Sequence, residues 1–271
     1  MEVHGILGVE FQNLKILKLR IMLKVENLNK SFGGIRATSN ISINFPSESL
    51  SAVIGPNGAG KTTFFNLISG GLIPDSGKIF LNNENIAGLS NVEVVRKGIG
   101  RAFQVAKLFK SLTVEESLRC ALQSPFGNSL NMISRFPLNE SKERANEVMN
   151  QLGILEKANV ISGNLSHGDQ KLLDIALALV LKPKVLLLDE PVAGMGPEER
   201  KQMIDTIYKL WKKGGLTVIL IEHDMEIVFK ISEFIHVLSY GKLLAQGTPD
   251  EIRSNQDVIE AYLGKPKKDL K

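Results

Sequence analysis

The sequence predicts an α/β fold with a mainly parallel central sheet, preceded by an antiparallel β-rich part and interrupted by an α-helical insertion. Three features indicate this architecture. Apolar, strand-like runs at 185–188, 216–221 and 234–238 are separated by helix-like segments of the length that parallel crossovers need. The run from 23 to 45 has a strand-like pattern, and from 112 to 155 the apolar residues follow a helical period.

The β-rich part is clearest where apolar and polar residues alternate. Ile41, Ile43 and Phe45 alternate with Ser42 and Asn44, as in a strand with one buried face. The pattern therefore predicts a half-buried strand at this point.

Two local signals predict a turn and a helix start. A hairpin is expected over 77–86, turning at Asn82 and Asn83, because asparagine tolerates left-handed backbone. Thr248 and Glu251 match a capping box with a proline between them, so we expect a helix that runs from there to about residue 262.

The helical insertion has an apolar face. Ala145, Val148, Met149 and Leu152 recur at the three- and four-residue steps of one helix face. The segment 124–139 contains two prolines and several polar residues, so we expect a loop there.

A glycine-rich loop stands between a predicted strand at 50–54 and a predicted helix at 62–69. It matches the pattern GxxxxGK[ST], in which successive backbone N–H groups converge on phosphate oxygens. We expect Lys61 to reach the β- and γ-phosphates and Thr62 to offer its hydroxyl to Mg²⁺. The residues of this predicted nucleotide-binding loop are Gly55, Pro56, Asn57, Gly58, Ala59, Gly60, Lys61 and Thr62.

A predicted buried strand that ends in acids supplies a second part of such a site. The segment VLLLDE places Asp189 as the candidate metal ligand and Glu190 as the candidate general base for the attacking water. A hydrophobic strand that ends in solvated acids is the alternative interpretation. The glycine-rich loop elsewhere in the chain favours the catalytic one.

The segment LSHGD opens an apolar-rich helix. Ser166 and Asp169 fit a capping box, and a helix N-terminus with serine and glycine can bind phosphate. A plain helix cap is the alternative. The position of the segment about 20 residues before the acidic strand end favours a second phosphate clamp.

Composition excludes several classes of protein. The lone Cys120 leaves no partner for an intrachain disulfide, and no run approaches the ~18 apolar residues of a membrane helix. The formal charge is +4, with a local cluster only in the tail 265–271, and we find no interleaving of basic and aromatic residues that would suit nucleic acid. We therefore expect no nucleic-acid partner.

Taken together, the motifs resemble the ATP-binding subunit of an ABC transporter. The glycine-rich loop, LSHGD, VLLLDE and IEHD follow one another in the order of that family, over about 22–264. The resemblance implies the P-loop ABC ATPase fold, with a helical subdomain at about 105–163. In that family two subunits sandwich two ATP molecules, so Ser166 and Gly168 would contact the ATP of the opposite chain.

The resemblance also implies roles for single residues. Phe32 fits the aromatic that stacks on adenine, although an aromatic beside two glycines can simply pack a loop. Gln104, in RAFQ, fits the glutamine loop, with a catalytic and a metal-binding role. His223, in IEHD, would contact the γ-phosphate and orient the attacking water. Thr63 joins the nucleotide-binding residues, and Asp189 the metal ligands.

Two departures from the family pattern stand out. The usual LSGGQ is LSHGD here, so Asp169 brings a carboxylate near a polyanion, which a helix N-terminus can tolerate. Gly196 occupies the position where most relatives carry the aspartate of the loop joining the two subunits. Dimer contacts at that loop are therefore not transferred.

Several segments are similar to one branch of the family, the ATPases of branched-chain amino-acid importers and of their urea and short-amide relatives. They include GIGRAFQ, DEPVAGMGPEE and DVIEAYLG. Membership implies a homodimer or a heterodimer with a paralogous ATPase, integral-membrane permease chains, an indirect link to a periplasmic or extracellular binding protein, and a peripheral place on the cytoplasmic face of the membrane. A lipopolysaccharide-export ATPase is a further alternative.

The ends of the chain complete the predicted organisation. MLKVENLNKSFG reads as the natural start of such a domain, so 1–21 is interpreted as an extension, and the favoured hypothesis is that translation starts at Met22. Residues 265–271 form the basic tail.

Overall fold

The computed structural model describes residues 20–102, 109–123 and 139–263. Gln104, the basic tail, residues 1–19 of the N-terminal extension and the expected loop over 124–138 lie outside the described residues. The strands β1 to β10 are Ile21–Phe32, Ile35–Pro46, Leu50–Ile54, Ser76–Leu81, Glu84–Asn85, Ile99–Ala102, Val185–Asp189, Thr217–Ile221, Phe234–Ser239 and Lys242–Gly247. The described α-helices α1 to α9 are Lys61–Ile68, Asn91–Lys97, Val114–Gln123, Asn139–Gln151, His167–Leu179, Pro197–Lys212, Met225–Ile231, Pro249–Arg253 and Gln256–Leu263.

The larger sheet has the order β10-β9-β3-β8-β7-β6 among the described strands. All its neighbouring strands pair in parallel except β10, which runs antiparallel to β9 at the edge. The predicted mainly parallel sheet is confirmed. Since parallel strands end at the same edge, the residues that follow β3, β7 and β8 meet there, where ligands bind in open α/β sheets.

The larger sheet is covered on both faces, which explains its uninterrupted apolar strands. On β7, Val185 and Leu187 join the core shared with the smaller sheet and α1, whereas Leu186 and Leu188 join the core built by the other helices. Every residue of β7 is buried, including the terminal Asp189. A carboxylate at this position is therefore held in place by the packing on both sides.

The smaller sheet is antiparallel, with the order β2-β1-β4-β5. As predicted, Ile41, Ile43 and Phe45 are buried while Ser42 and Asn44 face solvent. The expected hairpin is also present: its turn residues Asn82 and Asn83 have φ of 48° and 70°.

The helical part packs through the predicted face of α4. Ala145, Val148, Met149 and Leu152 are all buried, and α4 contacts α3 and α5. Arg144 fastens α4 to the end of α5 by donating to the Leu179 carbonyl at 2.8 Å. The helical part is thus attached to the sheet through α5, the helix that begins at LSHGD.

The C-terminal prediction was wrong in one respect. The capping box of Thr248 and Glu251 is present, but the helix ends at Arg253 and a second one, α9, begins at Gln256. The Ser254 hydroxyl donates to the Asp250 carbonyl, and Asn255 accepts from the Val258 N–H. These side chains satisfy backbone groups that a continuous helix would pair internally, so the chain breaks there.

Candidate functional site

The glycine-rich loop joins the end of β3 to α1 in a conformation that needs its glycines. Gly60 has φ of 98°, and a Cβ there would lie 2.2 Å from the Ala37 carbonyl oxygen. A Cβ on Gly55 would lie 2.1 Å from the Leu238 carbonyl oxygen. Larger residues at these positions would force the loop away from the neighbouring strands.

Lys61, the first residue of α1, lies across this loop. Its Nζ donates to the carbonyls of Gly55 at 2.7 Å and Pro56 at 3.1 Å. Burial lowers the pKa of the Lys61 ammonium, and the carboxylates of Glu190 and Asp189 oppose that shift. The Lys61 ammonium thus interacts electrostatically with the carboxylates at the end of β7 while it is hydrogen-bonded to the loop.

Glu190 and His223 form a pair at the same sheet edge. His223 Nε2 lies 2.7 Å from Glu190 Oε1, and the Glu190 N–H donates to the Ile221 carbonyl at 3.0 Å. Glu190 has φ of 51°, which is uncommon for a residue other than glycine. Such a conformation is often found at functional sites, where surrounding structure imposes it.

Asp189 is tied to a basic residue that the sequence interpretation did not include. Arg101, on β6, donates to Asp189 Oδ2 at 2.9 Å, and the two side chains are only 8% and 5% exposed. Arg101 also donates to Asn66 Oδ1 at 2.6 Å and Ser69 Oγ at 3.0 Å. Its guanidinium lies 5.8 Å from the centre of the Phe65 ring.

Glu222 is a second residue without an earlier role. Its carboxylate is 4% exposed and accepts from the Val192 and His223 N–H groups, both at 3.3 Å. Burial raises the pKa of Glu222 to about 7. This buried carboxyl joins the loop that follows Glu190 to the turn that carries His223.

The LSHGD segment begins α5 as expected. Ser166 is the N-cap and accepts from the Asp169 N–H at 3.2 Å. The Asp169 carboxylate accepts from Ser166 Oγ at 2.7 Å and pairs with Lys157 Nζ at 2.6 Å. Burial opposes ionisation of Asp169, but hydrogen bonds from Lys157 and Ser166 prevail and lower its pKa. The unusual carboxylate is therefore neutralised within the chain.

His167 of the LSHGD segment lies against Gly194, in the loop that follows Glu190. A Cβ on Gly194, which has φ of 78°, would lie 3.3 Å from His167 Cε1. The exposed His167 ring thus packs against the loop that contains Gly194 and Gly196. A smaller residue at 194 leaves room for the larger one at 167.

The predicted nucleotide-contacting residues fall into two groups. Pro56, Asn57, Gly58 and Ala59 line a cavity of about 730 Å³. Ser166 and Gly168 line another, of about 480 Å³, together with Lys157 and Glu199. Among the described lining residues the two cavities share none. The structure brings the glycine-rich loop together with the acids and His223, whereas Ser166 and Gly168 line the other cavity.

Two further predicted residues differ in what the structure says of them. Phe32, at the end of β1, is 46% exposed, with Lys30 Nζ 5.7 Å from its ring centre. Gln104 lies outside the described residues.

At the other end of the chain, burial raises the pKa of Tyr262, on α9, to about 12, although a backbone hydrogen bond with Gly55 opposes this.

The donors present fit Mg²⁺ held jointly with phosphates. Thr62 exposes its side chain at the start of α1, and Asp189 has one carboxylate oxygen engaged by Arg101. Within the described residues no cluster of three His, Cys, Asp or Glu side chains could hold a metal by itself. Mg²⁺ does not need one, because it is usually bound by one or two carboxylates or hydroxyls together with substrate phosphates and water.

The residues that the sequence interpretation missed lie inside segments that it did single out. Arg101 precedes Gln104 in RAFQ, and Glu222 precedes His223 in IEHD. The strand β6 is only four residues long, so the buried position of Arg101 had no clear periodic signal. The partners of Arg101 and Glu222 follow from which strand ends lie beside them, and the sequence alone does not give that arrangement.

A phosphate-binding loop between β3 and α1, with acids at the end of the adjacent parallel strands, defines a P-loop nucleoside triphosphatase. The ABC transporter family model matches residues 38–193, and the model of the branched-chain amino acid ATP-binding cassette transporter matches residues 242–268. The chain belongs to the ABC transporter family, as one of its ATP-binding ATPase subunits.

Individual relatives agree with this assignment. The chain is 41% identical to the high-affinity branched-chain amino acid transport ATP-binding protein LivG of Escherichia coli, over 90% of this chain and 98% of LivG. It is similar, with a TM-score of 0.81 and 31% identity, to the ADP conformation of an ATP-binding cassette of an ABC transporter, over 90% of this chain and 99% of that one.

A dimeric post-hydrolysis structure of another ATP-binding cassette, bound to ADP and Pi, has a TM-score of 0.72 and 25% identity, over 84% of this chain and 99% of that one. The predicted α/β ABC ATPase fold is confirmed. In the part of the chain that the structure describes, no α-helix has the length and apolar character to cross a bilayer.

Proposed function

We propose that this ATPase powers the import of branched-chain or other hydrophobic amino acids. The similarity to LivG over almost the full length of both chains supports this, and so does the match of 242–268 to a branched-chain amino-acid transporter model. Import of urea or short amides and export of lipopolysaccharide are the alternatives. Affinity purification from native membranes, followed by mass spectrometry, tests the assignment: importer permeases support it, and exporter permeases contradict it.

We further propose that the active unit is a dimer with shared ATP sites. The observation that carries this proposal is that the two candidate phosphate-binding segments line different cavities. The glycine-rich loop lies beside Glu190 and His223, whereas Ser166 and Gly168 line another cavity at the start of α5. A second chain, either a copy or a paralogous ATPase, would bring its own α5 terminus to the phosphates.

The residues around the loop would divide the work. Its backbone N–H groups and Lys61 bind the phosphates, and Phe32 stacks on adenine. Thr62, Asp189 and Gln104 would hold Mg²⁺, which supplies charge neutralisation on the phosphates. Glu190 accepts a proton from the attacking water, and His223 orients that water beside the γ-phosphate. The 2.7 Å contact between Glu190 and His223 supports this pairing of roles.

Hydrolysis would weaken the dimer. The partner's Ser166 and Gly168 contact the γ-phosphate, so its removal eliminates part of the dimer interface. The helical part, attached through α5, would pass this change to an integral-membrane permease at the cytoplasmic face. A periplasmic or extracellular binding protein would deliver the amino acid to that permease.

A complementation experiment tests the shared site. Lys61→Ala and Ser166→Arg each inactivate a homodimer, but a mixed dimer contains one site with a normal loop and a normal α5 terminus. Random mixing gives half mixed dimers, each with one working site, so about a quarter of wild-type ATPase activity should return.

The matched control is a mixture of Lys61→Ala with Glu190→Gln. Both changes fall on the half of the site that contains the loop, so every site in every dimer carries one of them, and no activity should return in this mixture. Recovery only in the Lys61 and Ser166 mixture requires shared sites. If that mixture stays inactive while wild-type homodimers hydrolyse ATP, the shared-site proposal is wrong.

A further inference from the structure

A buried cluster behind the glycine-rich loop is not explained by the nucleotide contacts proposed above. It consists of Arg101 and the side chains that surround its guanidinium: Asp189, Asn66, Ser69 and Phe65. Arg101 and Asp189 are almost fully buried. Removing two charges from water costs free energy that the attraction between them often only offsets. A buried ion pair is therefore weak evidence for a stabilising role, and another role must be considered.

The cluster joins three parts of the site. Arg101 belongs to β6, and Asp189 ends β7. Asn66 lies on α1, whose second residue is Thr62, and Ser69 follows that helix. One guanidinium thus connects the segments that carry Asp189 and Thr62, two of the proposed Mg²⁺ ligands. Its planar, fixed geometry suits it to holding several acceptors at set angles.

Arg101 donates a hydrogen bond to Oδ2 of Asp189 at 2.9 Å. The same guanidinium donates to Asn66 on α1, so it links the Asp189 carboxylate to that helix. Groups that hold a metal ligand by hydrogen bonding usually affect metal affinity nearly as strongly as the ligands themselves.

We infer that Arg101 is a positioning residue for Mg²⁺ binding: it fixes the Asp189 carboxylate against the helix that follows the glycine-rich loop. This inference rests on the proposed Mg²⁺ site. Arg101 should affect Mg²⁺ affinity in two opposite ways. As a positive charge, Arg101 repels Mg²⁺; as a positioning group, it keeps Asp189 in place for the ion.

Binding of mant-ATP, followed by fluorescence at a series of Mg²⁺ concentrations, distinguishes these effects. Arg101→Lys keeps the charge but lacks the planar fork, and Arg101→Met removes both. We expect both variants to need about tenfold more Mg²⁺ for half of the metal-dependent rise in affinity. Affinity without Mg²⁺ should change less than about twofold, because the described hydrogen bonds of Arg101 go to Asn66, Ser69 and Asp189, which lie outside the nucleotide-binding loop.

If the charge alone matters, Arg101→Lys behaves as wild type and Arg101→Met binds Mg²⁺ more tightly; either result overturns the inference. If Arg101→Met does not fold, the two single variants Arg101→Lys and Ser69→Ala test the positioning role instead. Ser69→Ala removes one hydrogen bond to Arg101 and leaves its ion pair with Asp189. Arg119→Met is the matched control: it removes a largely buried ion pair, with Glu115 at 2.7 Å, in the helical part. That variant should keep the wild-type Mg²⁺ response.

The same titration separates this inference from the proposed function. If wild-type protein binds mant-ATP without any response to Mg²⁺, the proposed metal site itself is wrong. If wild type responds and both Arg101 variants respond equally, only the positioning role is wrong.

Discussion

The glycine-rich loop and the start of α5 are both phosphate-binding candidates, but they are built differently. The loop lies at the end of buried strands, and internal contacts engage its neighbours: Lys61 with loop carbonyls, Asp189 with Arg101, and Glu190 with His223. At the start of α5, Ser166 and His167 are exposed. The contrast fits the proposal that the first region is preorganised within one chain and that the second meets the ATP of another chain.

The largest effect is expected from removing the candidate general base, Glu190, which lies beside the glycine-rich loop. Glu190→Gln should lower ATP hydrolysis by about 10²- to 10⁴-fold, because a positioned general base contributes that much. ATP binding should remain, and the dimer should accumulate. Phosphate release and light scattering with ATP measure the two effects. A variant that stays monomeric with ATP would contradict the role given to the α5 surface.

The buried Glu222 sharpens the description of the loop region through pH. Its pKa is raised by burial to about 7, so the unfolded chain loses this proton at lower pH than the folded chain. The contribution of the group to the free energy of unfolding is therefore greatest in acid and falls as pH rises from the ordinary glutamate range to about 7. The total fall is of the order of 3 kcal/mol.

Glu222→Gln should remove most of that dependence, so its stability relative to wild type should improve as pH rises. Urea unfolding at a series of pH values measures this. Glu233→Gln, at an exposed position next to β9, is the control and should follow wild type. Parallel pH profiles for wild type and Glu222→Gln would mean that the carboxyl does not titrate as described.

The α5 surface is tested by Lys157, the cation paired with Asp169. Lys157→Met should cost about 1 kcal/mol or less in stability, because the pair is partly exposed. It should weaken ATP-driven dimerisation more clearly, since Asp169 then faces the triphosphate of the other chain without neutralisation. Sedimentation with ATP measures the dimer. Adding Asp169→Asn should restore it; failure to restore would show that Lys157 acts in another way.

The smallest effect is expected where α9 reaches the loop region. Tyr262→Phe removes the hydrogen bond with the Gly55 backbone and should cost about 0.5–1.5 kcal/mol in urea unfolding. Tyr240→Phe is the control, because Tyr240 is 90% exposed. Equal stabilities of the two variants would mean that α9 does not support the loop through this bond.

Several elements of the fold were predicted correctly from the sequence. β3 covers the predicted 50–54, the buried face of α4 contains the four predicted residues, and the hairpin turns at the two predicted asparagines. These elements have strong local signals. The short β6 and the break between α8 and α9 did not, because four residues carry little periodicity and the break depends on the side-chain bonds of Ser254 and Asn255.

The sequence by itself determined the chemistry: a glycine-rich loop whose backbone must approach its neighbours closely, acids at the end of a buried strand, and a serine that caps a helix. These depend on residue type and local spacing. Only the tertiary structure decided which partners those residues have, because Arg101 is 88 positions from Asp189 and Glu190 is 33 positions from His223. Such contacts arise from the order of the strands in the sheet, which no local pattern encodes.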